Sequence, residues 1–502
     1  MNSSYIDFVI MSVVFWSLFA LFAWLGFYGA KWRRGDLSKM AEWALAGRRL
    51  GVILAFFLLG ADWFTAYSFL AVPSAVYATG AYGFFAVAYQ TMVFAFALTF
   101  MPRLWVLSRE KGYITAADFL KDRFGSRALS ISFAVVGIVA ILPYIALQIV
   151  GMQVVLATMF LTVLPPQQAT LAQDIALTIA FIILAAFTYT SGLRGAALGA
   201  VLKDVVIWVT FFATLAVVLL NAGGYGNIFS RVPNPNYLRL SPQLYWAFTT
   251  SMLGAVLTAY LWPHNTNSAL SAESPKKLKT SLALGPLYAV PLALLDILVL
   301  AVYLSPDAQR FISSFPPSVR GLYTIPALWI VYFPSWFVGL ALVGVFVGGL
   351  VPAAVMALSQ ANLLIRNIVK EFTDLPEHSE TRLAKIASVI FKFLALGFVF
   401  TVAPTYAIQF YFVGAALLVQ LFPAVFIGLY SRWPRSEALL AGMYVGIALS
   451  IYMILAANRF GMITTTLWAT PLGPMYLGIL ALLANLLIVV LLTFTLNIIK
   501  KT

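Results

Sequence analysis

The chain has 502 residues, 62% of them hydrophobic and only 10% charged, where a soluble domain carries about 25% charge. It contains no cysteine and two histidines, His264 and His378, which excludes disulfides, thiolate catalysis and Cys-ligated zinc and leaves little for a metal centre. The composition is that of a polytopic membrane protein, and the net charge of +14 reads as loop charge facing anionic lipid, not as a nucleic-acid surface.

A spanning helix needs about 20 apolar residues, and on that criterion thirteen spans are predicted. They begin near Asp7, Gly51, Gly83, Ser130, Asp174, Gly195, Gln243, Ser281, Ser335, Leu383, Pro404, Glu437 and Met475. The first follows "MNSSY", which lacks a basic n-region, and is followed by "KWRRGDLSK". It therefore reads as a first span with its N-terminus outside and not as a cleaved signal peptide. With thirteen spans in this orientation, 26 of the 31 Lys and Arg fall on the cytoplasmic side, leaving Arg231, Arg239, Arg310, Arg320 and Arg459 outside. That asymmetry is what the positive-inside rule demands. The longest polar pieces are residues 108–127, expected to contain a short interfacial helix, and residues 370–385.

Two predicted spans are interrupted. The second, "GVILAFFLLGADWFTAYSFLAVP", carries Gly60 and Pro73 around Asp62; the seventh, "QLYWAFTTSMLGAVLTAYLWPHN", carries Gly254 and Pro263. Breaks free backbone carbonyls and amides, which must then bind something. Breaks at matching places in two halves of a chain point to a transporter site between inverted repeats.

Six stretches together resemble the sodium:solute symporter family, and more closely its monocarboxylate-permease branch. They are "LLGADWFTAYSFLAVP", "GYITAADFLKDRFGSR", "LPYIALQIVGMQVVL", "TSGLRGAALGAVLKD", "WPHNTNSALSAESPKKL" and "VPAAVMALSQANLLIRNI". The resemblance implies an all-α membrane protein with a leucine-transporter-like core of two inverted five-helix repeats. Residues 1–50 then hold the first span and a cytoplasmic loop, 51–221 the first repeat, 222–430 the second repeat with its loops, and 431–502 two further spans. It also implies solute uptake coupled to an ion, typically sodium. An ungapped match anchored on Pro73 places the family's carbonyl ligands for sodium at Ala61 and Phe64, with Thr65 beside them. A match anchored on Arg366 and Asn367 places its hydroxyl ligands at Val351 and Pro352, where this sequence supplies no side-chain oxygen. Sodium wants about five or six oxygen ligands, by the logic of other hard cations. Either Asp62, Thr65 or Ser359 replaces the missing donors, or the coupling ion is a proton, which needs only a carboxylate.

Asp62 is accordingly the first ion-coupling candidate, with N-capping of the freed amides of Phe64 or Thr65 as its structural alternative. Lys203 and Asp204 lie about nine residues inside Arg194, roughly 14 Å into their span. As helix neighbours they are expected to bond to different partners, and a structural ion pair is favoured over a second cation site at Asp204. Asp296 is expected to pair with Lys203 or to be a second protonatable group. Tyr144 and Gln148 share one helix face and, with Thr249, Thr250, Ser251 and Gly254 of the second interrupted span, are the substrate-binding candidates. No arginine is predicted near the breaks, so an anionic solute would rest on half-helix N-termini with Lys203 the nearby cation. His264 is read as an interface residue at the cytoplasmic end of its span.

These features point to a secondary transporter in the cell membrane, importing a small monocarboxylate of the lactate, pyruvate, acetate or propionate type. No organic cofactor is expected, and the coupling ion is H+ or Na+. The alternatives are a sodium symporter of another small solute, such as an amino acid or pantothenate, and a membrane-embedded enzyme. The enzyme would need paired carboxylates or His clusters that the spans do not offer. A sensor of the same fold would need a signalling domain beyond the last span.

Overall fold

The computed structural model describes residues 3–33, 35–401 and 407–499. The expected start of a span at Pro404, together with Arg34, Lys500 and Lys501, lies outside them. The described chain is helical apart from one small hairpin, β1 (Leu467–Trp468) paired antiparallel with β2 (Met475–Tyr476).

The long helices, numbered here without the short connecting turns, are α1 (Ser3–Tyr28), α2 (Val52–Ala61), α3 (Val72–Thr79), α4 (Phe85–Lys111), α5 (Ala116–Phe124), α6 (Arg127–Phe160), α7 (Pro166–Ser191) and α8 (Leu193–Ala222). There follow α9 (Tyr245–Thr258), α10 (Pro263–Leu270), α11 (Pro275–Leu284), α12 (Ala289–Leu298), α13 (Ser335–Leu364), α14 (Glu377–Thr401), α15 (Ala407–Leu418), α16 (Ser436–Ala457) and α17 (Leu477–Ile499). Among the described residues, 11 helical segments are long and apolar enough to cross a membrane, or up to 12 when the pair α9–α10, bent by 48°, is taken as one span. α2 is apolar but, at 10 residues, too short to cross alone. α3 and α4 count as one 45-residue segment in that tally, although Gly80 parts them with φ 63, a left-handed backbone that favours glycine.

The core is built around α13. Its residues are buried almost continuously from Phe337 to Leu363, and it packs against α1, α6, α8 and α14. A helix that is apolar all round belongs in the middle of a bundle. Helices facing outward instead expose large apolar side chains, such as Ile175, Ile179 and Ile182 on α7 and Ile386, Ile390 and Leu394 on α14, as lipid-facing surfaces do.

The expected interfacial helix is α5. Thr115 and Asp118 form a reciprocal capping box at its start. Asp118 also accepts from Arg366 Nε at 2.7 Å and from Asn367 Nδ2 at 2.8 Å, while Arg366 reaches Glu380 at 3.0 Å. The motif stretches "GYITAADFL" and "ANLLIRNI" are thereby locked together at one end of the bundle.

Candidate functional site

The first break begins where α2 ends. The amides of Trp63 and Phe64 both turn back onto the Gly60 carbonyl at 2.9 Å. Thr65 Oγ1 accepts from the Tyr67 amide at 3.0 Å, and Ser68 Oγ donates to the Trp63 carbonyl. A single wide helical turn, Tyr67–Ala71, then leads into α3. Gly60 is needed for close packing: a Cβ there would stand 1.9 Å from the Tyr288 ring. Asp62 accepts from neither the Phe64 nor the Thr65 amide, and that of Phe64 is taken by the Gly60 carbonyl. Its carboxylate reaches across to α10 instead, where Oδ2 accepts from Ser268 Oγ at 3.5 Å and Oδ1 makes no hydrogen bond.

The second break falls at residues 259–262, after α9, between Gly254 and Pro263 of the span expected to be interrupted. Pro263 occupies the first turn of α10, a position where its missing N–H costs nothing. It therefore starts a second half-helix and does not end the span, which is why His264 is buried in the bundle and not at the interface. Asn265 Nδ2 donates to the Ala259 carbonyl at 2.6 Å, and Thr266 Oγ1 to the Tyr260 carbonyl at 2.8 Å. The "NTN" following Pro263 thus satisfies its own break.

Lys203 extends from α8 into the first break. Its Nζ donates to the Phe64 carbonyl at 2.9 Å and pairs with Asp204 Oδ1 at 2.6 Å. The neighbours therefore bond to each other, against expectation, because the four-carbon stem of lysine curls back far enough to reach the adjacent carboxylate. Asp204 Oδ2 also accepts from the Tyr288 hydroxyl at 2.8 Å, and Asp62 lies within electrostatic reach of both Lys203 and Asp204. The whole group is buried. Across from it α13 presents Gly348, whose Cβ position is 3.5 Å from the Phe64 carbonyl oxygen; the buried, apolar Val351 and Pro352 follow it by three and four residues, on the same helix face. Ser359 is spent within α13, donating to the Val355 carbonyl at 2.8 Å. Ala61, the last residue of α2, is buried beside this group.

Between the breaks stands a wall of rings. Tyr144 lies 4.9 Å from Trp262, 5.6 Å from His264 and 5.4 Å from Tyr411, and Tyr411 lies 5.1 Å from Tyr67. Both ring nitrogens of His264 in this wall, both amide atoms of Gln148 one helical turn beyond Tyr144, and the Tyr260 hydroxyl and Asn265 Oδ1 at the second break are buried without a hydrogen-bond partner. Buried polar groups are seldom left so, and each costs about 1–3 kcal/mol. Phe412, which packs on Tyr411 at 5.5 Å, and Phe85, 5.2 Å from Phe412, also line a cavity of about 420 Å³ that meets Ser74, Ala78 and Tyr82.

Other predicted residues lie elsewhere. Thr249 is exposed. Thr250 Oγ1 donates to the Trp246 carbonyl at 2.5 Å and accepts from the Tyr476 amide at 2.8 Å, which ties α9 to β2. Ser251 meets the Tyr82 hydroxyl at 3.1 Å, and Gly254 gives room to the Tyr476 ring. Asp296 is buried, and neither of its carboxylate oxygens makes a hydrogen bond; Lys203 is engaged with Asp204. Sequence reasoning missed Ser268, Tyr288, Tyr260 and Tyr411. Ser268 and Tyr260 stood in stretches already singled out.

The two interrupted spans meet at Asp62 and Ser268, with buried polar atoms that lack partners beside them, an arrangement of the kind found at transporter sites. The sodium:solute symporter family profile matches residues 43–446, and the chain belongs to that family. It is 35% identical over 486 residues, 95% of each chain, to a protein of Rhizobium johnstonii described as a monocarboxylate transport permease. It is 26% identical to the uncharacterized symporter YodF of Bacillus subtilis, over 91% of this chain and 88% of that one. Among solved structures it is similar to a Na+-coupled sialic acid symporter in a substrate-bound outward-open state, with a TM-score of 0.75 over 96% of this chain and 97% of the other at 14% identity. At that identity the likeness shows the fold alone.

Proposed function

We propose that this chain imports a small monocarboxylate across the cell membrane by ion-coupled alternating access, with a proton or sodium as the coupling ion. The observation that carries the reading is the set of partnerless buried groups, Gln148, His264 and Tyr260, gathered beside Tyr144 between the two breaks. Hydroxyl and amide donors hold a single carboxylate without a cation, and the aromatic wall suits a short apolar tail. A phosphate or dicarboxylate would call for an arginine. The buried Arg194 is already paired with Glu42. The name of the Rhizobium johnstonii relative supports the same solute class.

In this reading α2 with α3 is one interrupted span and α4 the next, which brings the number to thirteen. Residues 51–221 and 222–430 are the inverted repeats, and the N-terminus faces outward. Purified protein in liposomes should take up labelled lactate, pyruvate, acetate or propionate when an ion gradient is imposed, and unlabelled monocarboxylates should compete better than amino acids or pantothenate. Uptake of none of the four acids under either gradient would overturn the reading.

A further inference from the structure

We propose that the Lys203 ammonium is a tethered cation that takes the place of a sodium ion at the first helix break, so that the proton is the coupling ion. The inference deepens the transport reading above and rests on it for the identity of the solute. The free carbonyl of Phe64, which a cation would have to use, already accepts from Lys203 Nζ at 2.9 Å, and the nearest carboxylate, Asp204, is 2.6 Å from the same nitrogen. The opposite wall brings no side-chain oxygen: Gly348 of α13 faces the Phe64 carbonyl, Val351 and Pro352 follow it by three and four residues, and Thr65 Oγ1 already accepts from the Tyr67 amide. A hard cation there would have to displace an ammonium that is covalently anchored and fully buried.

The charges also count in favour of a proton. The group holds one ammonium and two carboxylates, Lys203 with Asp204 and Asp62, all buried. It is neutral only when it carries one additional proton, and an unbalanced buried charge is expensive. The groups that face it are Tyr288, bonded to Asp204, Ser268, bonded to Asp62, and Tyr144 and Tyr260 within reach of Asp62. Val206 on α8, Leu18 on α1 and Val343 and Val347 on α13 line the remaining side of Lys203 and bring no charge. A proton taken up from outside as the carboxylate enters, and released inside with it, restores the group and moves no net charge.

The test has two arms. Thermal unfolding of the purified wild-type protein is measured in sodium and in N-methylglucamine at equal ionic strength, which reads ion binding without any solute. We expect the same midpoint in both; a sodium-specific rise of several degrees, the signature of a ligand that binds only the folded state, overturns the proposal. In liposomes, uptake of labelled lactate or pyruvate should follow an imposed pH gradient with sodium absent, and sodium-driven uptake without a pH gradient overturns it. If no monocarboxylate is carried under either gradient, the transport reading fails, while the unfolding comparison still decides whether Lys203 excludes sodium. Lys203→Ala, which frees the Phe64 carbonyl and both carboxylates, should acquire a sodium-dependent midpoint that wild type lacks.

Discussion

The ammonium of Lys203 and the backbone carbonyl of Phe64 meet at 2.9 Å, joining α8 to the first helix break from outside the broken span. Removing the lysine should therefore be costly. Lys203→Ala leaves Asp204 and Asp62 buried without their cation, a loss of about 3–5 kcal/mol by the usual penalty for breaking a buried pair. Lys203→Ala with Asp204→Asn should recover a large part of it. Denaturant or thermal unfolding of the two singles and the double gives the coupling directly, and strictly additive losses would show that the two side chains act independently.

Asp62→Asn should fold normally and fail in driven transport. Its carboxylate makes one contact, to Ser268 at 3.5 Å, and caps no amide, so little stability is at stake. Accumulation of labelled lactate or pyruvate under an imposed gradient should fall about tenfold or more if an ionisable group is needed in the span. Solute-for-solute exchange across the same liposomes should persist. Undiminished accumulation would assign Asp62 a purely structural place.

Gln148→Leu should stabilise the protein while impairing it. No bond in the fold is lost, because both amide atoms lack partners, and replacing an unsatisfied buried amide with an apolar side chain of similar size removes a desolvation cost of about 1–3 kcal/mol. The unfolding midpoint should rise, and the KM for the carboxylate should rise about tenfold for a lost hydrogen bond to a charged ligand. A lowered midpoint would mean that Gln148 holds the bundle together.

Thr250→Val removes the acceptor of the Tyr476 amide and leaves that buried N–H unserved. The expected loss is about 1–3 kcal/mol of stability, seen as a lower unfolding midpoint. Ser251→Ala, which gives up only a hydroxyl pair with Tyr82, should shift it less.

The family and the run of spans were legible because apolar segments of spanning length and six motif stretches survive without any tertiary knowledge. The halves of the broken spans were harder: α2 has 10 residues and α10 has 8, below the length at which hydropathy identifies a span. Glycine and proline marked both breaks, but with different parts: Gly254 gives room to Tyr476, while Pro263 begins the half-helix after the second break. The contact between Lys203 and Asp204 escaped a rule about helix faces because a long flexible side chain does not obey it. His264 escaped for the related reason that a half-helix beyond a proline was not foreseen. The ring cage of Tyr67, Tyr144, Trp262 and Tyr411 joins residues more than 300 positions apart, and no local pattern announces it.

The two breaks are closed by different means. Asn265 and Thr266 fasten theirs from within the same half-helix, so that break travels as a unit whenever its surroundings shift. The carbonyl of Phe64 is fastened from α8, and any sliding of α8 against α2 must either carry the break along or let it go. One break is thus a self-contained elbow and the other a latch, held by an ammonium that belongs to a different helix.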